Sequence, residues 1–192
     1  MKVMTAESPN HVEIHTPTTT LVTVTLDHPG DFSSSFTNQP LVILSERPIL
    51  VAQFGGFADV SDALPGSGPR AMLVVPPAEL YRSRYTLSTA GHSDFHHFQH
   101  YLVVVSRRSA VDRLRLDDQP ISGGDWVTLD SATAGRLVPV SPGVHVIVHL
   151  DGTPFGAYVY GHSDSNCAYA YAAGLCLEST SNRQVGYDIS DR

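Results

Sequence analysis

The sequence predicts an all-β fold, an antiparallel β-sandwich made of two related β halves. Apolar and polar residues alternate with a period of two along most of the chain. The runs are short and bounded by Gly, Pro, Asp or Ser, which is the strand-and-turn pattern. No segment sustains a 3.6-residue period with helix caps. A partial β-propeller is the alternative, because four-stranded blades give the same short strands.

The runs fall at 21–26, 41–44, 49–54, 71–75, 95–105, 111–116, 126–129, 137–140, 144–150 and 155–160. The best helical candidate is one or two turns at 78–84. Pro40, Pro48, Pro120, Pro139, Pro142 and Pro154 mark strand ends, bulges or edges, since Pro cannot donate to a ladder. Residues 65–69 (PGSGP) and 121–124 (ISGG) read as loops. This divides the chain into an N-terminal extension at 1–18, a β domain at 19–178 and a polar tail at 179–192.

An internal repeat runs through the β domain. Residues 41–55 resemble 147–161 at a shift of 106 positions. Each copy reads strand, tight turn, Pro, apolar residue, strand, aromatic, Gly, with Pro48 matching Pro154 and Gly55 matching Gly161. The pattern predicts two hairpins whose second strand starts at the Pro. The Gly after the aromatic would allow positive φ as the chain leaves the sheet.

Composition narrows the function. At 192 residues and 42% hydrophobic content the chain can bury a real core. A formal charge of −7, with Lys2 as the one lysine, argues against a nucleic-acid partner. No apolar run approaches the ~20 residues of a membrane helix. Residues 1–10 lack the apolar stretch of a signal peptide, which leaves a cytosolic chain, or a fragment or mature piece of a secreted one.

The candidate chemistry fails on geometry. His92, His96, His97 and His100 cluster, but on a strand His96 and His100 stand ~13 Å apart, too far to share one ion. His145 and His149 share that spacing, so the histidines read as surface residues and no metal site is assigned. A cross-strand site between the two groups stays open. The Gly-His-Ser-Asp sequence at 91–94 recurs at 161–164, but triad members meet from separate elements, so both copies read as polar turns. No P-loop or dinucleotide fingerprint is present, and no cofactor is expected. The chain does not read as an enzyme.

Cys167 and Cys176 close a short segment, and such a pair reads as a disulfide stapling a loop in an oxidising compartment. Tyr169 and Tyr171 lie between them. They belong either to a pre-ordered contact loop or to a strand that packs on the core.

Ser141 to His145 and the block Pro154 to Gly161 (PFGAYVYG), with Pro48 to Gln53, Val75-Pro76-Pro77 and Tyr81 to Tyr85, resemble the N-terminal domain of IgGFc-binding proteins. The likeness spans roughly 21–178 and matches the C-terminal portion of that domain. It implies a secreted protein of mucus or matrix, acting through an extracellular protein or glycoprotein partner. The family often continues into von Willebrand factor type D repeats, which this chain does not contain. The resulting expectation is a non-catalytic extracellular module for protein contact or adhesion. The alternative is a lectin-like domain that binds carbohydrate or metal.

Overall fold

A computed structural model describes residues 1–56, 70–91, 98–121, 125–163 and 167–175. The strands are β1 (Lys2–Thr5), β2 (Asn10–His15), β3 (Thr20–Leu26), β4 (Phe32–Ser34), β5 (Val42–Ser45), β6 (Ile49–Gly56), β7 (Arg70–Val75) and β8 (Arg84–Ser88). They continue as β9 (Phe98–Arg107), β10 (Leu114–Leu116), β11 (Gln119–Pro120), β12 (Val127–Thr128), β13 (Thr133–Val140), β14 (Val144–His149), β15 (Gly156–Ser163) and β16 (Ala168–Ala172). Helix is confined, among the described residues, to single 3-10 segments at Ala78–Leu80 and Arg108–Arg113. The second takes residues 111–113 from the strand expected at 111–116.

The described residues form four antiparallel sheets, packed as two sandwiches. The first pairs the sheet β4-β1-β6-β7 with β3-β2-β5, and Val3, Val12, Ile14, Leu26 and Val51 fill the space between them. The second pairs β12-β13-β9-β15-β16 with β11-β10-β14-β8, over a core that includes Leu102, Val104, Leu114, Ile147, Phe155 and Val159. Among the described residues no sheet closes into a barrel, so the sandwich expectation holds.

The two halves share one strand order. In the larger sheets β4-β1-β6-β7 matches β13-β9-β15-β16, and in the smaller ones β3-β2-β5 matches β11-β10-β14. Val3 and Val104, Ile14 and Leu114, and Val51 and Ala157 take equivalent core positions.

The repeat is not a pair of hairpins. β5 bonds to β2 while β6 bonds to β1 and β7; β14 bonds to β10 and β8 while β15 bonds to β9 and β16. In both copies the chain crosses from one sheet of its sandwich to the other at the Pro. Neighbouring strands that share an inward alternation but sit in opposite sheets give the same one-dimensional pattern as a hairpin.

The expectation of an extension at 1–18 is also corrected. β1 is an inner strand of its sheet and β2 the centre of another, and Val3, Thr5, Asn10, Val12 and Ile14 are buried. Asn10 is satisfied by Thr5 Oγ1 at 3.0 Å, by the Arg47 carbonyl at 3.1 Å and by the Arg47 N–H at 3.0 Å. A buried amide with these partners costs little, and it ties β2 to the β5–β6 corner. The polar tail at 179–192 and the loop at 65–69 lie outside the described residues.

β15 joins the halves. Ala157 and Val159 face the second core, while Tyr158 and Tyr160 point the other way and pack with Leu73 of β7. The Tyr160 hydroxyl donates to Gln53 Oε1 of β6 at 3.0 Å, and Tyr81 and Tyr158 hydroxyls meet at 2.7 Å. Burial pushes the Tyr160 phenol up to about 12. Burial raises Tyr158 as well, reinforced by Tyr81. Coverage on both faces explains why PFGAYVYG is apolar without alternation.

Candidate functional site

In the first sandwich, β1, β4, β6 and β7 turn one set of side chains inward and the other set out. The outward set is largely apolar. Phe32, Met4 and Leu50 stand in one row across β4, β1 and β6, while Phe54 faces Met72 across β6 and β7, with Val74 beside Ala52. Exposure runs from 39% for Met4 to 58% for Phe32. Lys2 lies on the same face, its Nζ 4.6 Å from the centroid of the Phe32 ring. Lone exposed apolar residues are ordinary, but a block contiguous across four strands is a mark of an interaction surface. An open groove lined by Leu50, Val74, Pro76, Leu80, Ala172 and Leu175 extends the block toward β16.

Among the described side chains, this face offers dispersion, desolvation and the Lys2 cation. It can bury against an apolar surface of another protein. Sequence reasoning took 49–54 and 71–75 as alternating strands and assigned neither an exposed apolar face. The signal available was the run of outward positions (Leu50, Phe54, Met72, Val74), which lacks the polar alternation of a solvated sheet face.

The predicted site residues fall elsewhere. Tyr169 and Tyr171 lie on β16, partly buried, and pack against the second core. Tyr169 Oη meets His100 Nδ1 at 2.7 Å and accepts from the Ala90 N–H at 3.3 Å. Tyr171 donates to the Ser88 carbonyl. Cys167 is a partly buried free thiol, its N–H donating to Ser163 Oγ at 3.3 Å. Cys176 lies outside the described residues.

His100, His145 and His149 are buried rather than on the surface. Residues 145 and 149 share the inward face of β14 with Ile147, so the strand's alternation carries them into the core. His149 Nε2 lies 3.0 Å from the Ala110 carbonyl. His145 Nδ1 lies 2.7 Å from Asp117 Oδ2, and its Nε2 lies 2.8 Å from the Ser141 carbonyl. Asp117 and Asp118 both have positive φ in the two-residue turn between β10 and β11, the geometry of a type I′ hairpin. That turn aims the Asp117 carboxylate at both His145 and the Val146 N–H. Desolvation lowers the His145 imidazole, but the Asp117 hydrogen bond, the Ser141 carbonyl and the Asp117 charge outweigh it, and the net direction is up. Asp117 moves down, chiefly through its bond to His145.

His92, His96, His97 and Asp164 lie outside the described residues. Among the described residues no group of three His, Cys, Asp or Glu side chains is placed to hold a metal. His162 stacks on Tyr101, with centroids 5.9 Å apart. Among the described residues no helix is long and apolar enough to cross a membrane.

The Gly161 expectation is revised too. Gly161 lies inside β15, and what requires glycine is a close approach: a Cβ there would stand 2.1 Å from Tyr169 Cε1. Gly156 serves the Tyr81 ring in the same way, at 2.5 Å.

The fold and this face define a two-sandwich β module with an apolar sheet face that none of the described residues covers. The model of the family described as IgGFc binding protein matches residues 1–161, and the chain belongs to that family. It is a family of protein-binding modules, typically extracellular, and not an enzyme family. The match begins at residue 1, so it takes in β1 and β2 as well as the blocks that carried the resemblance. No curated protein and no solved structure matches the chain.

Proposed function

We propose that this chain is a non-catalytic module secreted into mucus or matrix, where it mediates adhesion or structural contact. It holds a protein or glycoprotein partner on the apolar face formed by Met4, Phe32, Leu50, Phe54, Met72 and Val74. That face is the observation that carries the reading: left bare, it would expose several large apolar side chains to water and invite self-association. Family membership and the acidic, single-lysine composition support a protein partner over a nucleic acid. Cys167 is unbonded in the structure, and in the oxidising compartment of this reading it would pair with Cys176.

The constant region of immunoglobulin G, named in the family description, is the first partner to assay. Purified Fc fragment is passed over the immobilised chain, with affinity capture from mucus run in parallel. The proposal expects saturable binding in at least one of the two, reduced about tenfold or more by Met72→Glu. Capture by the wild-type chain and by Met72→Glu to the same extent would remove the face from the function.

A further inference from the structure

The shared strand order leaves one position filled in the second sandwich and unfilled in the first. There β8 flanks β14 and completes the sheet β11-β10-β14-β8. The equivalent of β14 is β5, and among the described residues no strand pairs with its outer edge. The consequence shows in the core. Beneath β8, Ile147 and His149 are 0% and 2% exposed. Their counterparts Leu41 and Ile43 pack on the first core but remain only half-buried.

The backbone polarity of that edge follows from one hydrogen bond. The Glu46 N–H donates to the His11 carbonyl of β2. Strand alternation then turns the N–H and C=O groups of Val42 and Leu44 toward β2, and those of Leu41, Ile43 and Ser45 outward. In the second sandwich the matching outward group is used: the His149 N–H donates to the Ser83 carbonyl at 2.9 Å. Pro40 falls at the position of Val146, whose N–H turns away from β8 to the Asp117 carboxylate. The first edge therefore loses no outward donor to its proline.

We infer that the outer edge of β5 is a strand-acceptor site, which takes an extended segment of a partner protein antiparallel to β5 in the place that β8 occupies beside β14. The segment that fits has apolar side chains at alternate positions, as Tyr85 and Leu87 have in β8, with polar residues between them. The apolar set covers Leu41 and Ile43. The segment's backbone pairs with the outward groups of Leu41, Ile43 and Ser45, as in other cases of strand addition. This edge belongs to the β3-β2-β5 sheet, so it is independent of the apolar face of the opposite sheet.

The test uses the full chain and a synthetic decapeptide with the sequence of residues 81–90, against a scrambled control. Binding is read by fluorescence polarisation, and amide hydrogen exchange is followed at Ile43 and Ser45. The expected result is saturable binding of the patterned peptide, at least tenfold slower exchange at both amides, and no effect of the scramble. Ser45→Pro and Ile43→Pro place a ring where an outward N–H would pair, and proline is tolerated at edges of this kind. Each variant should bind the peptide about tenfold or more weakly while keeping a cooperative melt. Four outcomes overturn the inference: no protection at saturating peptide, protection already complete in the isolated monomer, protection that tracks dimerisation of the chain, or proline variants that fold and bind like wild type.

Discussion

Gly161→Ala adds one methyl group where a tyrosine ring already stands. The new Cβ would lie 2.1 Å from Tyr169 Cε1 and 2.6 Å from its Cζ, whereas ordinary contact starts near 3.4 Å. The ring must retreat by more than an ångström. It is not free to do so, because its hydroxyl meets His100 and Ala90, and its ring makes an edge contact with Phe98, centroids 5.7 Å apart. Overpacking of this kind costs ~1–3 kcal/mol, and a strained or lost hydroxyl bond adds ~0.5–1.5 kcal/mol. A chain of this size loses roughly 2–4 °C of Tm per kcal/mol, so the melt should fall by about 3–18 °C. The assay is a double-mutant cycle by urea denaturation with Tyr169→Ala. Tyr169→Ala is itself destabilising, but in that background Gly161→Ala should cost less than about 0.5 kcal/mol, within the scatter of ordinary surface changes. An equal cost in both backgrounds would refute the steric account of the glycine.

The His145–Asp117 pair sets a pH signature. A raised imidazole contributes stability that is full below its ordinary value of 6.5 and lost as pH rises through the folded value. A lowered carboxyl contributes stability that is present above 3.8 and lost as pH falls through its folded value. The stability difference between wild type and Asp117→Asn should therefore peak between these limits and shrink toward pH 9; a difference that grows from pH 6 to 9 contradicts it. Tyr160→Phe removes the bond to Gln53 that links the halves, and should cost ~0.5–1.5 kcal/mol in chemical denaturation with no change in far-ultraviolet dichroism. A thiol count on protein from its native source should find no free cysteine if Cys167 and Cys176 are bonded, and two free thiols would remove the disulfide.

Much of the strand pattern was legible because alternation marks which residues face a core. Alternation does not say which strand is the neighbour, so the β5–β6 and β14–β15 corners read as hairpins. β2 escaped notice because Asn10 occupies an inward position, and the partners that satisfy its amide, Thr5 Oγ1 and the distant Arg47 backbone, are placed only by the fold. His145 and His149 carried the right parity beside Ile147, but their polarity masked it. The apolar face was hidden for the opposite reason: Leu50, Phe54, Met72 and Val74 look like core, and the sequence alone does not say that they stand exposed. Gly161 was noticed for backbone freedom when the constraint is the Tyr169 ring across the strand pair.

The claim that most needs testing is that the apolar face is where a partner docks. The direct measurement is partner binding by wild type, by Leu50→Glu with Met72→Glu, and by Thr25→Glu on an exposed position of the other sheet, each with its melt recorded. Leu50 and Met72 are exposed and face Met4 and Phe54 rather than each other, so the paired change should move stability by about 1 kcal/mol or less. The account predicts binding about tenfold weaker or worse for the paired variant, with Thr25→Glu like wild type. Equal binding by all three folded proteins would contradict it.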